Sequence, residues 1–291
     1  MTLQYPKVSI ITPSFRSARY ISSTIESVLF QNYPSIEHII IDGASDDGTV
    51  DILKKYPHLI WISEPDRGQS EAINKGMKLA KGEIVAWLNA DDVFKPDAVS
   101  VASEYLMNFP EIVAVYGDME MITEHGETIL LRKSKCFNLE TLFFENFINQ
   151  PTVFVRKYIL DELHGLDERL HYSMDRELWL RIGSQYVMQY LPGWIGAGFR
   201  LHSISKTCTS EPKFHAEWAT VMENSLTNAL FSGVSLVIKN RAVEQAKVRF
   251  LVSTIRSEAK KRDVKAVLIS IHQLVTKHWR YILKYPLRKL L

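Results

Sequence analysis

Four short apolar runs, at residues 8–12, 36–41, 59–62 and 84–88, recur along the first 92 residues, and each gap between them carries a helix-spaced pattern. Runs of four to six residues separated by crossovers of this length predict strands that pair in parallel through right-handed helical connections. The fourth run, from Ile84 to Leu88, is apolar on both faces, as a strand buried inside such a sheet must be. Carboxylates follow the runs. Asp42 follows the second, Asp66 follows the third within Glu64-Pro65-Asp66-Arg67-Gly68, and Asp91-Asp92 follow the fourth. In open α/β sheets ligands bind beyond the carboxyl ends of the strands, so Asp42, Asp66, Asp91 and Asp92 are expected on one rim.

Two readings fit Asn89-Ala90-Asp91-Asp92 on its own. Hard oxygen ligands at a strand end suit Mg²⁺ or Mn²⁺, which commonly carry substrate phosphates. Equally, one aspartate could cap the turn before Lys95-Pro96-Asp97.

The other patterns extend this frame. Helices are predicted over residues 20–29, 49–55, 70–79 and 97–108, and strands over 112–116 and 153–155. Residues 119–122 and 128–131, joined around His125-Gly126, read as a hairpin. Phe143, Phe144, Phe147 and Phe154 read as core. A helix over 175–182 opens with Asp175 and Glu177, where acids also favour the positive helix end. An apolar strand leads into His202. Beyond it strand signals fade, and residues 211–231, 237–260 and 264–285 read as helices. The expected organisation is an α/β catalytic domain over 1–210 and a helical basic extension over 211–291.

Composition narrows the class. Of 291 residues 46% are apolar and 23% charged, the balance of a folded globular protein. No apolar stretch is long enough to span a bilayer, and no basic region followed by an apolar core opens the chain. Cys136 and Cys208 make neither a disulfide framework nor a zinc pattern, which fits a reducing cytoplasm. The net charge of +2 hides an asymmetry: residues 237–291 hold 14 Lys/Arg against 3 Asp/Glu.

No Gly-x-Gly-x-x-Gly follows the first strand and no Gly-x-x-x-x-Gly-Lys occurs, which excludes a Rossmann dehydrogenase and a P-loop NTPase. Five blocks occur instead, in order: Val8 to Phe15, Ile41 to Thr49, Glu64 to Gly68, Ala86 to Asp92, and Ser173 to Arg181. In this order and spacing, over about residues 5 to 205, the chain resembles family 2 glycosyltransferases. That resemblance implies a GT-A fold, with a mostly parallel sheet flanked by helices. It also implies an inverting, hexosyltransferase-like transfer of a sugar from a nucleotide diphosphate sugar to a hydroxyl acceptor. By the same resemblance Thr12, Pro13 and Ser14 line the nucleotide, Asp42 meets the base, and Asp66 and Arg67 flank base and ribose. Asp91 and Asp92 hold a divalent metal against the diphosphate, and Asp175 is the catalytic base. His202 stands where some relatives carry a diphosphate-proximal histidine, against the plainer reading of a structural side chain. Asn89 departs from the pattern, because many relatives carry an acid there.

Several residues have plainer readings. Trp87 and Trp179 read as core, Asp46 and Asp47 as turn residues, and Gln69 and Glu71 as either acceptor contacts or helix caps. In the tail, Val267, Leu268, Ile271, Leu274, Val275, Trp279, Ile282 and Leu283 recur at helical intervals among Lys265, Lys277, Arg280 and Lys284. This describes a helix packed on the body with a basic solvated face. The sharper alternative is an interfacial helix at an anionic membrane, near a lipid-linked acceptor. No nucleic-acid reader motif accompanies the charge. The expected role is assembly of a surface polysaccharide or related glycoconjugate in the cytoplasm or at the inner membrane face. The competing readings are a sugar-1-phosphate nucleotidyltransferase, which needs a Gly-rich basic loop where Pro13-Ser14-Phe15-Arg16 stands, and a non-catalytic nucleotide-sugar-binding protein.

Overall fold

The computed structural model describes residues 5–284. The amino-terminal half alternates strand and helix: β1 (Val8–Ser14), α1 (Ile21–Leu29), β2 (Ile36–Asp42), α2 (Thr49–Leu53), β3 (Ile60–Ser63), α3 (Gln69–Leu79) and β4 (Ile84–Trp87). These four strands pair in parallel in the order β3-β2-β1-β4. Every residue of β1 is buried, as a central strand covered on both faces requires. One cover is α3, which comes unusually close. A Cβ on Gly76 would lie 2.4 Å from Ile11 Cγ2, so only glycine lets this helix sit on the strand.

The chain then continues through β5 (Val93–Phe94), α4 (Ala98–Asn108), β6 (Ile112–Ile122) and β7 (Thr128–Arg132). It goes on to α5 (Leu139–Phe144), β8 (Phe154–Arg156), α6 (Lys157–Glu162), α7 (Met174–Gly183) and β9 (Val187–Arg200). Strand β8 is antiparallel to both β4 and β6, which makes the sheet mixed on that side. The sheet order is β3-β2-β1-β4-β8-β6-β9-β5, with β7 forming a hairpin on β6. Residues 112–116 and 119–122, expected as separate strands, are one strand whose register against β9 shifts around Tyr116 and Asp118. The length of β9 was hidden in the sequence because Pro192, Gly193, Gly196 and Gly198 interrupt its alternation, and Gly193 has a φ of +78°.

The described chain forms two compact units. Among the described residues the first comprises 5–137 and 147–202, and the second comprises 138–146 and 203–284. The second unit adds α8 (Lys206–Thr209), α9 (Glu211–Ser225), α10 (Leu236–Lys260) and α11 (Val264–Lys284) to α5. Ser235 caps α10 by accepting from the N–H of Ile238 at 3.3 Å. Val248, Leu251 and Val252 of α10 pack with Leu274 of α11, and His278 meets Glu244 at 2.8 Å. Phe143 is buried as expected, edge-on to Phe231 within this helical unit. The predicted helix over 211–231 divides, with a short 3-10 turn at Ala229–Phe231. The side chains of Ile282, Leu283 and Lys284, and all of Tyr285, lie outside the described residues.

Candidate active site

The register Ser14↔Asp42↔Ser63 aligns the carboxyl ends of β1, β2 and β3. Asp42 is fully buried there. Its carboxylate accepts from Ser14 Oγ at 3.3 Å, Ser45 N at 2.9 Å, Ser45 Oγ at 2.6 Å and Ser63 Oγ at 2.7 Å. An ionised aspartate has about four acceptor positions, so protein donors satisfy it and leave little for a ligand. Thr12, Pro13 and Ser14 are likewise buried. Thr12 Oγ1 lies 2.9 Å from Nε2 of His38, whose pKa burial pushes down to about 3, so the pair is neutral.

The first exposed side chain past β1 is Phe15, 61% accessible, with Arg16 over its ring. Residue patterning did not single it out, although an aromatic directly after a buried strand end is the signal. A Cβ built on Gly43 would lie 3.3 Å from the Phe15 ring and 2.9 Å from Asp66 Oδ2, so Phe15 and Asp66 flank one glycine floor. Asp66 accepts from Gly68 N at 2.8 Å, and burial raises its pKa. Arg67 is mostly exposed and binds Glu71 at 2.8 Å and Glu168. Its hydrogen bond leads the pull of Glu71 down to about 2. Asp46 pairs with Arg16, while Asp47 accepts from Ala18 N and Thr49, which are turn roles.

Past β4 the two aspartates diverge. Asp91 is one-third exposed, and its Oδ2 lies 2.9 Å from His202 Nε2. Asp92 is fully buried, accepting from Arg200 N at 2.9 Å and from Asn89 Nδ2 at 3.2 Å. Burial first, and the Asp91 charge second, raise its pKa well above the usual carboxylate range. Asn89 is therefore an amide node: its Oδ1 accepts from Gln69 Nε2 at 2.7 Å while its Nδ2 serves Asp92 and, at 3.4 Å, Gln150. Arg200, at the end of β9, was also missed by the sequence reading. Its buried guanidinium donates to Asp91 O at 2.8 Å and Glu124 O at 3.0 Å and covers the Tyr20 ring, tying β9 to the aspartate loop.

Asp175 sits half-buried in the first turn of α7. One turn later, about 6 Å along the axis, Trp179 stacks on Trp87, the last residue of β4, with centroids 5.2 Å apart. Such a pair contributes about 0.5–1.5 kcal/mol beyond its burial, and it locks α7 against the strand that delivers Asn89 to Asp92. Burial raises the Asp175 pKa, against the N–H and charge of Arg176 and the charge of Arg132. The segment entering α7 is clamped onto α3. Asn74 donates to Leu166 O at 2.9 Å and Glu168 at 3.2 Å and accepts from Leu166 N at 2.9 Å, while Ser70 donates to Leu170 O at 2.6 Å. Gly68, at φ +132°, leaves room for His171, whose Nδ1 would lie 2.9 Å from a Cβ there.

Among the described residues no three His, Cys, Asp or Glu side chains converge on a metal position. Asp91, partly open, and His202, whose buried Nδ1 has no partner, offer two ligands at most. That corner fits Mg²⁺ or Mn²⁺, which keep much of their coordination for water and substrate phosphates.

A sequence profile of the family described as "Glycosyl transferase family 2" matches residues 9–161, just over half of the chain. TuaG of Bacillus subtilis, which carries the name of a teichuronic acid biosynthesis glycosyltransferase, is 41% identical over 113 residues, 37% of this chain and 44% of that relative. An uncharacterized glycosyltransferase of Rickettsia typhi is 29% identical over 193 residues, 62% of this chain and 61% of its own length. The chain thus spans between 44 and 61% of the lengths of these two relatives. Among solved structures, S. aureus TarS 1–349 in complex with UDP-GlcNAc aligns with a TM-score of 0.63 at 15% identity, over 92% of this chain and 91% of that one. The mannosyltransferase PcManGT of Pyrobaculum calidifontis, in complex with GDP-Man and Mn²⁺, aligns with a TM-score of 0.62 at 16% identity, over 96% and 83%. At these identities the likeness shows a shared fold, the GT-A arrangement.

Proposed function

The chain belongs to glycosyl transferase family 2, and on that premise we propose that it moves a sugar from a nucleotide diphosphate sugar to a hydroxyl acceptor with inversion, in the assembly of a surface polysaccharide or related glycoconjugate. The observation that carries this reading is the Trp87–Trp179 stack, because it ties the helix bearing Asp175 to the strand end bearing Asp91. A single-displacement transfer needs a carboxylate opposite the leaving diphosphate, and Asp175 is the base that takes the acceptor proton. Its raised pKa suits that task, since a base works best with a pKa nearer the working pH.

Phe15 and Asp66 border the base end of the donor, with Arg67 beside the ribose. Thr12, Pro13, Ser14 and Asp42 enter as the buried floor that holds this end in shape. For Asp42 that means a supporting role in place of the expected contact to the base, because its four protein donors already occupy it. Asp91 and His202 hold the divalent cation, Mn²⁺ or Mg²⁺, which when bound offsets the negative charge gathering on the leaving diphosphate. Asp92, fully buried and holding Arg200 N and Asn89 Nδ2, supports Asp91 from behind and is not a direct ligand. A lipid-linked or saccharide hydroxyl is the acceptor. The exposed free thiols of Cys136 and Cys208 suit a reducing cytoplasm.

The test is nucleotide release and product formation with a panel of UDP and GDP sugars, with and without Mn²⁺, using wild type and Asp175→Asn. Transfer by wild type, and its loss in a variant that still binds donor, is expected. Full turnover by Asp175→Asn removes Asp175 from the base role. Product with retained anomeric configuration rejects single displacement.

A further inference from the structure

Helix α11 carries two apolar faces where packing in its own unit uses one. Leu274 and Ser270 are buried on the side of α10. On another side Val264, Leu268, Ile271, Val275 and Trp279, spaced by three or four residues, are 68, 60, 41, 56 and 48% exposed. They make one stripe along nearly the whole helix. Basic residues accompany it: Lys265, Lys277 and Arg280 lie on α11, Lys260, Lys261 and Arg262 precede it, and no acid occurs between Val264 and Lys284. The Arg280 guanidinium lies 5.3 Å from the centre of the Trp279 ring. Among the described residues no helix is long and apolar enough to cross a membrane.

We infer that this face of α11 docks in the plane of an anionic lipid surface. An apolar stripe bordered on one flank by Lys265 and Arg280, on a helix free of acids, matches the headgroup and acyl boundary of such a bilayer, with Trp279 at the level its amphipathic ring favours. A second copy of the chain is a poorer occupant, since a two-fold pairing of this face with itself runs the helices antiparallel and brings Lys265 of one copy toward Arg280 of the other. The inference stands on α11 alone and is independent of the transfer reaction.

The experiment is co-sedimentation of the full chain with phosphatidylglycerol vesicles and with phosphatidylcholine vesicles at about 0.1 M salt, where the Debye length is about 10 Å. Binding to the first and not the second is expected, with a blue shift of Trp emission that Trp279→Phe removes. Leu268→Glu with Val275→Glu lowers the partition coefficient at least tenfold without changing the circular dichroism spectrum, since both side chains are exposed. Replacing Lys265 and Arg280 by Gln costs about fivefold per residue. Absence of binding to the anionic vesicles overturns the inference, as does equal binding by the double glutamate variant. A concentration-dependent dimer that the same double variant dissolves, without vesicle binding, assigns the face to a second copy instead.

Discussion

Replacing Asn74 by Ala tests whether α3 sets the position of the segment that enters α7. The Asn74 side chain makes three hydrogen bonds across 92 and 94 residues of sequence, two of them to the backbone of buried Leu166. Alanine leaves the N–H and the C=O of Leu166 without partners. Each such buried group costs about 1–3 kcal/mol, reduced where water enters the space the amide vacates. A net loss of about 3 kcal/mol is expected, and for a domain of this size that lowers Tm by roughly 6–12 °C. Because Asp175 lies further along the clamped segment, kcat is expected to fall at least tenfold while donor KM changes less than threefold. Differential scanning calorimetry and initial rates measure both. Asn74→Asp is the sharper variant: it keeps an acceptor for Leu166 N but turns a second oxygen toward Leu166 O and Glu168, so it is no more stable than Asn74→Ala. A Tm within 2 °C of wild type together with an unchanged kcat would refute the clamp.

Asp175→Asn is expected to abolish transfer and yet raise Tm at pH 7–8. The pKa of Asp175 is raised on folding, so its ionisation weakens the fold as pH rises through the folded value, and the gain from Asn shrinks as pH falls toward the ordinary aspartate value of about 3.9; a gain that grows in acid contradicts this. Asn89→Asp brings a carboxylate against buried Asp92, where like charges about 4 Å apart repel by about 4 kcal/mol at an effective dielectric constant near 20. A metal-free thermal melt should therefore show destabilisation of about 2–4 kcal/mol, partly recovered with Mn²⁺, and an unchanged melt would reject the amide node. Asp91→Ala is expected to remove the Mn²⁺ dependence of donor binding in calorimetric titration, whereas wild-type metal dependence in this variant moves the cation elsewhere. Phe15→Ala should weaken binding of UDP or GDP about tenfold, as loss of an aromatic platform does, with little change in Tm because the ring is 61% exposed. Equal affinity would clear Phe15 of any nucleotide contact.

The parallel half of the sheet was legible because each strand is a short apolar run and each crossover a helical period, and Asp42, Asp66 and Asp91 follow their strands as the register requires. The division of labour between Asp91 and Asp92 was not legible. Two adjacent carboxylates look alike in sequence, and what separates them is a hydrogen bond from Arg200, 108 residues away. Asp42 presents the same difficulty, since its saturation depends on Ser14 and Ser63 lying level with it across three strands. Phe15 escaped because exposure leaves no periodic trace, and β9 because glycines chosen for close approach break its alternation. A Cβ on Gly198 would sit 3.1 Å from Val93 and 3.2 Å from Ile122.

The nine residues from Asn138 to Asn146 leave the sheet-bearing unit, contribute α5 to the helical one and return before β8. This detour makes the carboxyl-terminal helices inseparable from the middle of the chain. A protease or an engineer cutting after His202 would not release a tidy catalytic fragment, because Leu142 and Phe143, both fully buried, would lose the helices that shelter them. A trimmed version of this protein would need polar replacements at those two positions before it could remain soluble on its own. The segment that matches the family profile and the carboxyl-terminal helices are thus stitched together at residue 143, and a new helical module grafted after residue 202 has to arrive with a socket for that phenylalanine.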